Sequence, residues 1–166
     1  VLEPHRDVRV VHAATRRGRP VLLVDDVAPA GGGTAPFVRE GPVAGHYFYW
    51  ASGCVFLSYD TAGTTEIEGT TEFAELDAAM QAWNTGVAGC SYMNLIAADG
   101  STGREVGKDY VNLVKFRDDR WCIPASGSDP EVCHNPAAAG LTTITFVKDP
   151  NSDRVGEIVD ADVEFN

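Results

Sequence analysis

One long apolar stripe at helical spacing interrupts a chain otherwise written in strand-like runs. Phe73, Leu76, Met80, Trp83 and Val87 recur in steps of three and four residues, the period of a single helix face. Thr70 or Thr71 can cap this helix. Glu72 and Glu75 place negative charge in its first turn, where the helix dipole favours it, and Gly86 and Gly89 end it. The stripe reads as packing against a sheet rather than as a cofactor-binding surface.

Strands surround it. Cys54 to Tyr59 is a strand inside an aromatic and β-branched stretch that begins at Tyr47 and breaks at Ala51-Ser52-Gly53. Gly63 to Gly69 is loop. Tyr92–Ala97, Tyr110–Phe116, Leu141–Val147 and Glu157–Phe165 read as four further strands. Arg117 to Ala139 is a long loop holding two cysteines and three prolines. Strand, helix, then four strands predicts an α+β domain, with one mixed five-stranded sheet and the helix on one face.

This domain occupies 46–166. Residues 1–45 differ: Arg16-Arg17-Gly18-Arg19-Pro20 is basic and turn-forming, Val21 to Val24 is a short buried strand, and Ala28 to Pro36 is a Gly/Pro-rich linker. Such a segment can be a pro-region, an appended arm or a strand added to the main sheet. Gly31-Gly32-Gly33 belongs to the linker and is not a phosphate cradle. The chain opens on Val1 without a Met or a signal peptide, which reads as trimming by processing or as an artificial boundary.

The 166 residues carry 24 acids against 13 bases, a formal charge of −11. Such a surface repels phosphate, so nucleic acid and anionic membranes are disfavoured partners. No apolar run is long enough to span a membrane. Cys54, Cys90, Cys122 and Cys133 form no C-x-x-C pair, and an even count without metal spacing fits an oxidising, secreted or extracellular setting. Of the three possible pairings we favour Cys54–Cys90 and Cys122–Cys133. A helix antiparallel to the first strand returns the chain to that strand's start, and the second bridge would brace the long loop. Four buried thiols are the alternative.

The ordered set of elements resembles the N-terminal half of a matrixin-type metzincin, the zinc metallopeptidases that include the matrix metalloproteinases and secreted bacterial relatives. Cys54 to Asp60, followed by the helix with Ala82-Trp83-Asn84, is similar to the family's first strand and helix. Tyr110 to Phe116 resembles its third strand. Ala139 to Phe146, a polar turn, and Gly156-Glu-Ile-Val-Asp-Ala-Asp-Val-Glu-Phe-Asn166 resemble its fourth and fifth strands. The resemblance covers residues 46–166. It implies a mostly parallel, twisted sheet and a secreted zinc endopeptidase acting on peptide or protein substrates. It also implies that Leu141 to Phe146 is an edge strand binding substrate antiparallel, with Gly140, Leu141, Thr142 and Thr143 offering backbone hydrogen bonds.

The family's zinc motif, H-E-x-x-H-x-x-G-x-x-H, is absent. The histidines are His5, His12, His46 and His134, without that spacing. Zinc and the general base are therefore expected on a C-terminal segment outside these residues, including as a separate chain, and this chain alone is expected to be inactive. Thr143 and Glu164 stand near the positions of the family's structural-zinc histidines, and no cysteine precedes Cys54 to act as a cysteine switch. The competing reading is a non-catalytic secreted binding or structural module that keeps the same sheet.

Smaller signals remain. Asp149, Asn151 and Asp153 occupy the first alternating positions of a calcium loop with Asp160 at the twelfth, but Arg154 stands where glycine is required. A plain acidic turn is the simpler reading, with calcium as the alternative. Asp60, Glu66, Glu68, Glu72 and Glu75 read as a solvated acidic face, His134 as a solvated loop residue and His46 as a packed strand-edge residue. No Ser/His/Asp signature, Walker loop or G-x-G-x-x-G is present. Should the edge strand be covered, the expected cover is the arm at 1–45, with Val21 to Val24 lying on it as a pro-segment would, or a neighbouring chain.

Overall fold

The computed structural model describes residues 6–15, 20–23, 42, 44–89 and 91–166, the first two stretches as strand backbone. In chain order the elements are β1 (Arg6–Thr15), β2 (Pro20–Leu23), β3 (Tyr49–Trp50), β4 (Cys54–Tyr59), α1 (Thr71–Val87), β5 (Asn94–Ala97), β6 (Leu113–Phe116), β7 (Cys122–Ile123), β8 (Val132–Cys133), β9 (Gly140–Val147) and β10 (Glu157–Phe165). The linker at 28–36 lies outside the described residues, as does Cys90.

The helical crossover α1 brings β5 alongside β4 in parallel, since a helix returns the chain to the level where the strand began. β6 pairs parallel with β4 and with β10. A polar turn after Val147 reverses the chain, so β9 and β10 pair antiparallel. Gly156 closes that turn with φ +84°, and a Cβ there would sit 2.8 Å from the Tyr47 carbonyl, so only glycine fits. The resulting order is β2-β1-β9-β10-β6-β4-β5, with β3 parallel to the start of β10. The general expectation holds: an α+β fold with one helix and, across 46–166, a mostly parallel sheet. The sheet has eight strands rather than five, the additions being β1, β2 and β3.

Two expected strands are shorter than their sequence runs. Tyr110 has φ +66°, which breaks the extended run, and β6 starts only at Leu113. The Asn112 side chain replaces the lost pairing. Its amide donates to the Phe56 carbonyl at 2.8 Å, and its oxygen accepts from the Ala161 N–H at 2.8 Å. The run at Tyr92 likewise becomes strand only from Asn94. The long loop contains a hairpin, β7–β8, in which Cys122 and Cys133 face each other across the ladder and are bonded, as expected.

The helix packs one sheet face through Met80, with Tyr59 and Val114 buried beneath it and Leu57, Phe73, Leu76, Leu95, Val163 and Phe165 around them. Asn84 fixes it to β5 by bonding both the N–H and the C=O of Leu95, at 2.8 and 2.9 Å. The stripe is not covered along its whole length. Trp83 is 50% exposed, because the middle of the stripe, Leu76, Met80 and Trp83, borders an apolar groove of about 240 Å³ rather than packed sheet. Leu57, Val114, Val163 and Phe165 form the groove's floor and far side. The sheet is wider than one helix can cover.

Candidate peptide-binding edge

Two things place β9. Its inner side is locked to β10 by register: Gly140↔Phe165, Leu141↔Glu164, Thr142↔Val163 and Thr143↔Asp162. A Cβ at Gly140 would lie 3.3 Å from the Glu164 carbonyl, so the smallest residue begins the strand where the chains approach most closely. Asn166 fastens this corner: its N–H donates to the Ala139 carbonyl at 3.1 Å, and its side chain donates to the Ala138 and Pro136 carbonyls at 3.1 and 3.3 Å.

The outer side of β9 is where the resemblance to the metzincin sheet leads one to expect a substrate. The geometry there differs from a bare edge. β1 lies along it antiparallel from Arg6↔Val147 to Ala13↔Gly140, so Gly140, Leu141, Thr142 and Thr143 are paired on both sides. β9 is thus the outermost strand of the 46–166 sheet, and the arm covers it. The described part of the expected segment, Val21 to Leu23, does not do this: β2 pairs with the far side of β1, over Pro20–Leu23 against His12–Thr15, and Val24 lies outside the described residues. Sequence reasoning missed β1, although Val8, Val10 and Val11 give it a β-branched core.

The face of the sheet opposite α1 is built from ions. Alternation along β10 directs Asp160, Asp162 and Glu164 to this face, and all three are buried. Glu164 receives Arg117 through Nε and Nη2, each at 2.7 Å. Arg117 also reaches Glu105 at 2.7 Å, Glu105 meets the Lys115 ammonium at 3.2 Å, and Lys115 is bonded to buried Asp60. Burial by itself would raise the Asp60 carboxyl, but Lys115 and the N–H groups of Ala62 and Gly103 hold it below the ordinary carboxylate value. Among the described residues no cation meets Asp162. It accepts from Gly107 and Leu113, each at 2.9 Å, and burial, with Asp160 nearby, pushes it up to about 7.

These positions correct several expectations. Asp60 and Glu72 are buried rather than solvated: Asp60 caps the turn after β4, and Glu72 folds back to the Thr64 N–H at 3.3 Å. Glu66, Glu68 and Glu75 are exposed, as read. The His134 side chain is only 3% exposed. It lies edge-on to Trp121 and 3.7 Å from Glu164, because the disulfide hairpin folds it down onto β10. His46 is exposed rather than packed. Cys54 is an exposed free thiol, and its expected partner Cys90 lies outside the described residues.

Asp149 accepts from the Asn151 N–H at 2.9 Å, the signature of a self-bonded acidic turn, and Asp149, Asn151 and Asp153 are exposed. Asp160 faces the Asp109 N–H at 3.1 Å instead.

Among the described residues no group of side chains fits a zinc ion. Among the described residues the group with ligand spacing is Cys122, Glu131 and Cys133, and the two sulfurs are joined to each other. His46 is exposed, whereas the His134 side chain is buried beside Glu164. Among the described residues no helix is long and apolar enough to cross a membrane. Comparison with known proteins finds no matching family, no matching curated relative and no matching solved structure.

Proposed function

We propose that this chain is the sheet-bearing N-terminal portion of a secreted zinc endopeptidase of the matrixin type. In this reading it supplies the wall of the cleft along which an extended peptide lies. One observation carries the reading: the outer edge of β9 already holds an antiparallel extended segment over eight residue pairs. Peptide recognition by strand addition uses that geometry, with main-chain hydrogen bonds for affinity and alternate side chains for selection. Gly140 to Thr143 are the residues assigned to the substrate backbone.

A second feature supports the same reading. The half-covered apolar groove beside Trp83 adjoins Val163 and Phe165 at the end of β10, where a second amphipathic helix would complete the layer. Zinc and the general base are assigned to such a further segment, on the same polypeptide or a separate one. Because the described residues do not make a zinc site, no catalytic step is assigned to them. The absence of a His-Glu-x-x-His sequence from these 166 residues favours the second reading, a non-catalytic secreted module that binds extended peptides at the same edge.

The test is native mass spectrometry of the protein from its source, with metal analysis. The peptidase reading expects a longer chain or a second polypeptide carrying the zinc motif, one zinc per assembly and chelator-sensitive cleavage of casein. A native product without either polypeptide and without zinc would leave the binding module.

A further inference from the structure

We infer that Arg6–Ala13 is a built-in occupant of the β9 edge, a substrate-like strand that keeps this edge closed to other extended peptides until the arm is displaced. The inference rests on reading β9 as a peptide-binding edge, and it adds how access to that edge is controlled. The register runs antiparallel without a break from Arg6↔Val147 to Ala13↔Gly140, so the arm spans the whole of β9, including the four positions assigned to a substrate backbone. An edge strand cannot offer the same N–H and C=O groups to two partners at once. Occupation by the arm and by a peptide is therefore mutually exclusive.

The chain has the means of release. β1 is joined to the rest of the molecule through β2 and the Gly/Pro-rich stretch from Ala28 to Pro36. β2 pairs with β1 and not with β9, so the β1–β2 hairpin can leave as a unit. The arm is also the basic part of an acidic chain. Arg6, Arg9, Arg16, Arg17 and Arg19 are five of its 13 basic residues. A cationic hairpin on an acidic body is held more tightly at low salt and loosened by high salt. A competing ligand for the edge is accordingly an extended, cationic peptide.

The experiment uses the full chain with a site-specific protease sequence inserted between Gly32 and Gly33. After folding and cutting, a fluorescent peptide with the sequence of residues 6–15 is added, and binding is followed by anisotropy. The cut protein should take up the peptide at least tenfold more strongly than the uncut protein, and more weakly as salt is raised. In parallel, Val8→Pro with Arg9→Pro is made in the uncut chain. Adjacent N–H groups point to opposite sides of a strand, so one of the two prolines must remove a bond to β9. Amide exchange at alternate residues of 141–147 should quicken at least tenfold, while the amides bonded to β10 keep their protection. Equal peptide binding before and after cutting, or no exchange change in the proline variant, would overturn the inference. Neither readout uses proteolysis or zinc, so failure of the peptidase reading is seen separately.

Discussion

The two faces of the sheet solve the same burial problem with opposite chemistry. Under α1 the buried cluster is Met80, Tyr59 and Val114, packed by apolar contact, with the Tyr59 hydroxyl donating to Asp77 at 2.7 Å and an open groove beside them. On the other face Asp60, Lys115, Arg117, Glu164 and Asp162 are fixed by directional bonds under loops that seal them. Apolar packing can be extended by whatever segment covers the groove. The ionic face is closed by its loops, and Asp60, Lys115, Arg117, Glu164 and Asp162 each depend on a named partner.

The largest expected effect falls on that dependence. Lys115→Met removes the ammonium between Asp60 and Glu105 and leaves a buried carboxylate without its cation. The urea midpoint should drop by the equivalent of about 3–5 kcal/mol. Adding Asp60→Leu should recover much of that loss, and a double variant no better than the single one would break the contrast between the faces.

The ionic face should also set the pH response. The Asp162 carboxyl sits near 7 when folded against 3.8 for an unperturbed aspartate. Between those pH values the folded protein holds a proton that the unfolded chain has released, so stability falls as pH rises. The contribution is complete below about pH 4 and lost above about pH 7, with roughly 4 kcal/mol as its upper bound. Urea midpoints at pH 5 and pH 7 measure it, and Asp162→Asn should flatten the difference. Asp60, held low, acts in the opposite sense and loses its contribution only as pH falls below the ordinary carboxylate range.

Opening the Cys122–Cys133 bridge by a double serine substitution should cost about 3 kcal/mol by loop-closure reasoning. Because the hairpin carries Trp121 and His134 onto Leu141 and Glu164, the His134 ring resonance should shift with it. On the apolar face the effects should be smaller and graded by cover. Met80→Ala is expected to cost about 2 kcal/mol, and Trp83→Ala, half-exposed beside the groove, less than about 1 kcal/mol.

These contrasts also explain what could be read in advance. The helix, the strands β4, β9 and β10 and the short-loop disulfide were legible because period and turn chemistry are local. The ionic face was only half visible. Asp160-x-Asp162-x-Glu164 alternates on a strand whose intervening residues are apolar, which marks one face as carboxylate. That this face is buried depends on loops folding over it, and no local pattern records that. His134 was misjudged for the same reason, since its burial comes from a hairpin inside an apparent loop. Tyr110 looked like strand by residue type, yet its positive φ is imposed by the turn over Asp160. The β1 pairing joins residues 127 to 141 positions apart, beyond the reach of periodicity.

The account turns on β9 being held by the chain's own arm. Residue-resolved nuclear Overhauser spectroscopy of the intact protein tests this directly. In an antiparallel pair, alternate opposing residues bring their Cα atoms to about 4.5 Å, close enough for strong Hα–Hα contacts. The account expects such contacts along one alternate set, either Asp7–Phe146, Arg9–Ile144 and Val11–Thr142 or Val8–Thr145, Val10–Thr143 and His12–Leu141. No contact between residues 6–13 and 140–147, together with rapid exchange of alternate β9 amides, would contradict it.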